Sequence, residues 1–119
     1  MELVNLTPHV IKVVTTNGDI VEFKPSGQIA RVASVPGTEQ KSTSYPNMKF
    51  FSAPTWGEVE GLPAPQGGKA YIVSGLVAAR CSHRADVFSP GTGPADEPVR
   101  QDGQIVAVTR LIFAMAIPA

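Results

Sequence analysis

Eleven glycines and eleven prolines are spread through this 119-residue chain, and they limit its fold more than any other feature. Proline removes a donor from helix and ladder alike, and both residues mark turns. The chain therefore turns often and builds short strands rather than long helices. Its length suits one domain, residues 1–119, and 43% hydrophobic residues suffice for a modest core. Ten basic residues balance ten acidic ones. That balance argues against bulk nucleic-acid binding, which draws on many phosphate contacts. One cysteine, Cys81, leaves no intrachain disulfide and makes a zinc cluster an unpromising idea. With Met1-Glu2 and no basic stretch behind it, no signal peptide is expected, and the longest apolar run, 111–117, is far short of a membrane span.

Beta-branched residues fill positions 10–15 and 20–23, joined across Asn17-Gly18, where a tight turn with two positive φ angles is expected. A third strand is expected over 29–35, with Ile29, Arg31, Ala33 and Val35 on one face. Residues 34–49 form a polar excursion with little to bury, read as a mobile loop. Tyr71-Ile72-Val73 reads as a buried strand, with Ser74 capping a short helix through about Arg80. A short strand over 86–89 opens into a loop rich in Gly and Pro, and Asp102-Gly103 marks a second hairpin turn. The apolar stretch 105–117 reads as one strand of about 13 residues, against a usual 5–6. Left at an edge it would invite aggregation, so a bulge and cover from another subunit are expected. The fold class is α+β and β-rich: a compact antiparallel sheet with hairpins, one or two short helices, and an oligomeric state.

Catalytic and metal signals are thin. Cys81-Ser82-His83 puts a thiol, a hydroxyl and an imidazole along one turn, a spacing that seldom aligns nucleophile and base. His9 and His83 are the only histidines, and no metal-ligand spacing accompanies them. Gly67-Gly68-Lys69 fails as a phosphate loop, because Pro63 and Ala70 occupy its other key positions. No catalytic residue, metal or cofactor is expected. The arginines say more. Arg31 and Arg110 lie among apolar residues, where a charge is unfavourable unless paired. Each either pairs with an acid such as Asp86, Glu58 or Glu60, lays its stem on the sheet, or grips a phosphate in a cleft. Phe88 opens a glycine-rich loop and is either core or a platform for a nucleobase.

Several phrases occur together: Val4-Asn5-Leu6-Thr7-Pro8-His9, Pro25-Ser26-Gly27 with Ala30-Arg31-Val32, and Gly61-Leu62-Pro63 with Tyr71-Ile72-Val73-Ser74. Arg84 with Asp86-Val87, and Val99-Arg100 with Asp102-Gly103, follow in order. In this order they resemble the first-described family of phage-encoded Thoeris anti-defence proteins, the sponges, over nearly the whole chain except 34–49. The resemblance implies capture, without cleavage, of cyclic ADP-ribose isomers made by bacterial TIR-domain proteins. It also implies action in the cytoplasm of the infected host and assembly into dimers or hexamers. Some members hold cyclic trinucleotides at a separate site. Arg31 and Arg110 carry over as ligand contacts.

Such a ligand calls for cationic donors on its diphosphate and one stacking partner. Arg31 and Arg110 are assigned to the anion, Phe88 to the base, and Arg84, Arg100, His9 and Thr7 to support. Outcompeting a receptor suggests roughly nanomolar binding, near −12 kcal/mol. One small chain hardly supplies that, so the pocket is expected at a subunit junction. Two rivals stand beside this reading: a phage structural or adaptor protein with no small-molecule site, and a nucleotide-cleaving enzyme.

Overall fold

The computed structural model describes residues 1–116. The chain opens with β1 (Glu2–Asn5), then β2 (Ile11–Val14), β3 (Ile20–Phe23) and β4 (Arg31–Val35). Two-residue strands β5 (Glu39–Gln40) and β6 (Phe50–Phe51) precede β7 (Thr55–Glu60) and β8 (Lys69–Ile72). Helix α1 (Gly75–Ala78) separates β8 from β9 (Val87–Pro90). A 3-10 turn (Pro94–Asp96) leads to β10 (Val99–Gln101), β11 (Gln104–Ala107) and β12 (Leu111–Phe113). The protein is β-rich with little helix, as its turn residues require. Among the described residues no helix is long and apolar enough to cross a membrane.

The strands do not form the single compact antiparallel sheet expected. They make one four-stranded sheet, ordered β1-β8-β9-β12, and four two-stranded ribbons. In the central sheet β1, β8 and β9 run parallel, and β12 returns antiparallel to β9. A parallel strand covered on both faces reads as an unbroken apolar run. Ala70, Tyr71, Ile72 and Val73 fit that rule and are all buried. Leu6, Ala30, Val77, Ala78, Cys81 and Val87 pack around Tyr71 and Val73 to form the core. The Ser74 hydroxyl accepts from the Val77 N–H at 3.4 Å, so this residue caps α1 as its position in the sequence suggests.

The 105–117 stretch is not one strand. It divides into β11 and β12 around Val108–Arg110, and residue 117 lies outside the described residues. The break has a local cause. The Thr109 hydroxyl donates toward the carbonyls of Asp96 and Glu97 at 3.0 and 3.2 Å, and the Arg110 carbonyl accepts from Gly91 N–H at 3.0 Å. Those bonds pull the backbone out of line, so β11 pairs with β10 and β12 with β9.

The two hairpin turns also differ from each other. Asp102 and Gly103 both have positive φ, giving the two-residue loop expected there. At Asn17-Gly18 only Gly18 has positive φ, because the loop spans Thr15 to Asp19 and is closed by Gly18 N–H to the Thr15 carbonyl.

Strands β4 and β7 form an arm that β5 and β6 extend. Arg31 pairs with Glu60 and Val32 with Val59, but the register shifts before Ser34 meets Trp56. The extra residue lies on β7, where Gly57 and Glu58 together oppose Ala33 and interrupt the regular pairing. Residues 34–49 therefore do not run as a featureless loop; part of them is laddered. Gly37 lets the strands close, since a Cβ there would overlap the Ser52 carbonyl. Gly61 follows β7 at φ +80°, where a Cβ would overlap the Ile29 carbonyl. From 38 to 58 every residue except Ser42 is exposed. The arm makes the molecule long, 57 × 37 × 34 Å. Its radius of gyration is 17.5 Å, against about 13–14 Å for a compact chain of this length.

Candidate functional site

Because β1, β8 and β9 run parallel, the segments leaving their carboxyl ends meet at one side of the sheet. Open sheets with parallel strands bind ligands in the crevice beyond those ends. Here Thr7, Pro8 and His9 follow β1, Ser74 and Gly75 follow β8, and Pro90 and Thr92 close the end of β9. With Ile11 they line a cleft of about 390 Å³, within the ~300–1,000 Å³ range of small-molecule sites. Its walls combine apolar Ile11, Pro8 and Pro90 with three hydroxyls and one imidazole.

Asn5, at 2% exposure, builds this mouth. Its Oδ1 accepts from the Thr7 N–H at 2.9 Å and the Thr7 hydroxyl at 2.7 Å. Its amide donates to the carbonyls of His9 at 2.7 Å and Phe23 at 2.8 Å. A buried amide with all these bonds made is a rigid bracket. It holds the Thr7-Pro8-His9 turn against β3 and leaves the His9 ring exposed. Thr7, one of the support residues expected from the sequence, spends its proton inside this bracket and keeps an acceptor oxygen. Ser74 accepts from the helix, so its own O–H is free to donate.

The remaining expected residues are scattered. Arg110 stands behind Gly91, between the cleft residues Pro90 and Thr92; a Cβ on Gly91 would sit 2.8 Å from Arg110 Cγ. Its guanidinium donates to Glu97 through a single 3.4 Å contact, half exposed. Phe88 lies on β9 against Phe113, ring centroids 4.6 Å apart, so the stacking partner in hand is another phenylalanine. Arg31 on β4 and Arg100 on β10 are exposed and, among the described residues, have no ion-pair partner.

Arg84 is different and does not serve as a free anion grip. Its Nε and a terminal nitrogen donate to the two Asp86 oxygens, both at 2.8 Å, and that second nitrogen also reaches the Pro63 carbonyl at 3.0 Å. The bidentate pair is mostly buried. The hydrogen bond from Arg84 holds the Asp86 carboxyl below its usual range, and the same bond raises the guanidinium. Arg84 forms one wall of a second hollow of about 580 Å³, with Gly57, Glu58, Val59, Leu62, Arg80, Cys81 and His83. Arg80 lies over the Trp56 ring at 5.9 Å. Burial pushes the Cys81 thiol up, away from the thiolate a nucleophile needs, although Arg84 opposes the shift. Among the described residues no cluster of three His, Cys, Asp or Glu side chains could hold a metal.

Of the polar residues lining the cleft, Ser74 and Thr92 were not among the site residues expected from the sequence, nor was Asn5, which brackets its mouth. The spacing Asn5-x-Thr7 is that of a side-chain turn and is the one local signal that pointed here. Comparison with protein-family models, curated proteins and solved structures finds no match for the chain.

Proposed function

We propose that the protein sequesters a cyclic nucleotide immune signal, a cyclic ADP-ribose isomer, and holds it intact, blocking a Thoeris-type defence in the cytoplasm of an infected bacterium. The observation that carries the reading is the cleft at the convergent ends of β1, β8 and β9, with hydroxyls, an imidazole and apolar walls at nucleotide scale. Among the described residues Arg110 beside it has one weak partner and Arg31 and Arg100 have no ion-pair partner, so guanidinium groups remain for phosphate. A storage role is supported by the burial of Cys81, which disfavours its thiolate, and by the engagement of Asp86 with Arg84. The cleft is open on one side, which suits closure by a second subunit.

Thermal unfolding with a cyclic ADP-ribose isomer tests the reading. At a hundredfold excess over Kd the gain is about 2.7 kcal/mol, roughly 10 °C for a domain this size. Heat-released ligand has unchanged mass if the protein stores it and a hydrolysed mass if the protein is an enzyme. No shift with any nucleotide favours the structural or adaptor alternative, for which the exposed arm is the main argument. Arg31→Ala is expected to weaken binding at least tenfold while moving the melting temperature by only a few degrees, since Arg31 is exposed and unpaired. Isothermal titration with an unchanged Kd would remove Arg31 from the site.

A further inference from the structure

We infer that the inner wall of the cleft beyond β1, β8 and β9 reads sugar hydroxyls, so that a ligand enters ribose first with its phosphates outside. The inference rests on that cleft being the ligand site. The hydrogen bonds behind it start at Asn5, which is 2% exposed. The Asn5 amide nitrogen faces two carbonyls, those of His9 at 2.7 Å and Phe23 at 2.8 Å. Only N–H groups pair with carbonyls, so the amide has one orientation and its Oδ1 is turned to Thr7. That oxygen accepts from the Thr7 hydroxyl at 2.7 Å. The other oxygen within reach of the hydroxyl, the His9 carbonyl at 3.1 Å, is also an acceptor. The proton is therefore engaged inside the protein whichever oxygen holds it.

Thr7 is consequently a hydroxyl that can only accept from the cleft it lines. It is 7% exposed, buried enough that a mismatched neighbour is costly. Its bond from the His9 N–H is long, 3.4 Å, and leaves a lone pair for a ligand. An ionised phosphate oxygen also only accepts, so the two oxygens repel. A ligand O–H donates instead. Ser74, on the same cleft, accepts from the Val77 N–H and keeps its own proton to give. The wall thus offers one fixed acceptor and one free donor, the complement of a sugar diol, whose hydroxyls both donate and accept.

Charge supports the same orientation. Among the described residues neither lysine nor arginine lines this cleft, and only the His9 imidazole there can carry charge. Arg110 stands behind Gly91 and turns its guanidinium to Glu97. A diphosphate thus finds its cations outside the wall and not on it. Ile11, Pro90 and Thr92 also border a smaller hollow of about 160 Å³, walled by Val10, Ile105 and Val106 with Lys12 as its one charge. That adjoining apolar surface suits a flat base.

Titration of the full chain with adenosine and with its dideoxy analogue, which lacks both hydroxyls of the sugar diol, tests this by NMR. The wild type should bind adenosine about fivefold more tightly or better, the value of one or two well-made hydrogen bonds. Thr7→Val keeps the shape, removes the acceptor and should bring the ratio close to one. Ser74→Ala, at an exposed position, should lower the ratio by itself. Damage to the Asn5 bracket would weaken both nucleosides alike, whereas loss of hydroxyl reading changes their ratio. A wild-type ratio of one, no binding of either nucleoside at millimolar concentration, or a ratio untouched by both variants overturns the proposal. So does inorganic pyrophosphate that shifts the Thr7 and His9 amide resonances as adenosine does. If a cyclic ADP-ribose isomer binds but the ratio is one, the storage reading survives and the hydroxyl wall falls. If adenosine is preferred but no cyclic ADP-ribose isomer binds, the wall stands and the storage reading falls.

Discussion

The two ends of this molecule solve the problem of short strands in opposite ways. The central sheet buries Ala70 to Val73 on both sides, satisfies Asn5 completely, and seals its one strong ion pair, Arg84–Asp86, away from water. The arm has the same kind of β-rich sequence but leaves its aromatics bare and its one ion pair, Lys41–Glu39, in solvent. The sheet is stable because its strands come from distant parts of the chain and enclose each other. The arm folds back on itself and encloses nothing. The ladder between β4 and β7 holds it with little burial to support it.

The largest effect that separates the two ends is at the sheet. Asp86→Ala strands a guanidinium at 13% side-chain exposure, a loss of about 3 kcal/mol, or roughly 10 °C in melting temperature. Because the Asp86 carboxyl is held below its ordinary value, its stabilisation is complete above about pH 4 and fades as pH falls through the lowered value. Acid titration of Asp86→Asn should therefore show a flatter low-pH limb than the wild type. A smaller effect of opposite sign is expected at Tyr71, whose hydroxyl is buried with no hydrogen-bond partner among the described residues. Tyr71→Phe removes an unsatisfied group and should raise stability by about 1 kcal/mol in denaturant unfolding. A loss there would mean that the hydroxyl has a partner in solution.

Amide exchange gives a finer test. The N–H groups of Tyr71 and Val73, bonded at 2.8 Å to Asp86 and Phe88, should exchange slowly at any concentration. Those of Thr38 and Ser52, bonded to each other's residue on the exposed arm, should exchange at least tenfold faster. Arm protection equal to that of the sheet would erase the contrast. Least of all should come from Lys41→Ala, whose exposed pairing should not move the melting temperature measurably.

Part of this was readable from residue order. The hairpin at Asp102-Gly103, the buried Tyr71-Ile72-Val73 run and the Ser74 cap follow from neighbours within four positions, and they are where those rules put them. The five-residue loop around Asn17-Gly18 differs because pairing begins at Val14 and Ile20, two residues farther from the turn on β2 and one farther on β3 than a two-residue loop requires. The apolar stretch after Gln104 looks uniform, and its break at Thr109 depends on carbonyls a dozen residues earlier. The candidate site was half legible. Thr7 and His9 belong to the cleft, but Ser74 and Thr92 join them only through the parallel pairing of β1, β8 and β9.

Composition and pattern alone determined a β-rich chain of short strands, frequent turns and a small core, because glycine, proline and β-branched residues act on the backbone next to them. Strand polarity, the pairing of Arg84 but not Arg31, the bare aromatics of the arm and the site at the ends of three strands were decided by tertiary structure. Each depends on contacts between residues far apart in the chain, whose partners are chosen by competition for burial and hydrogen bonds across the whole fold.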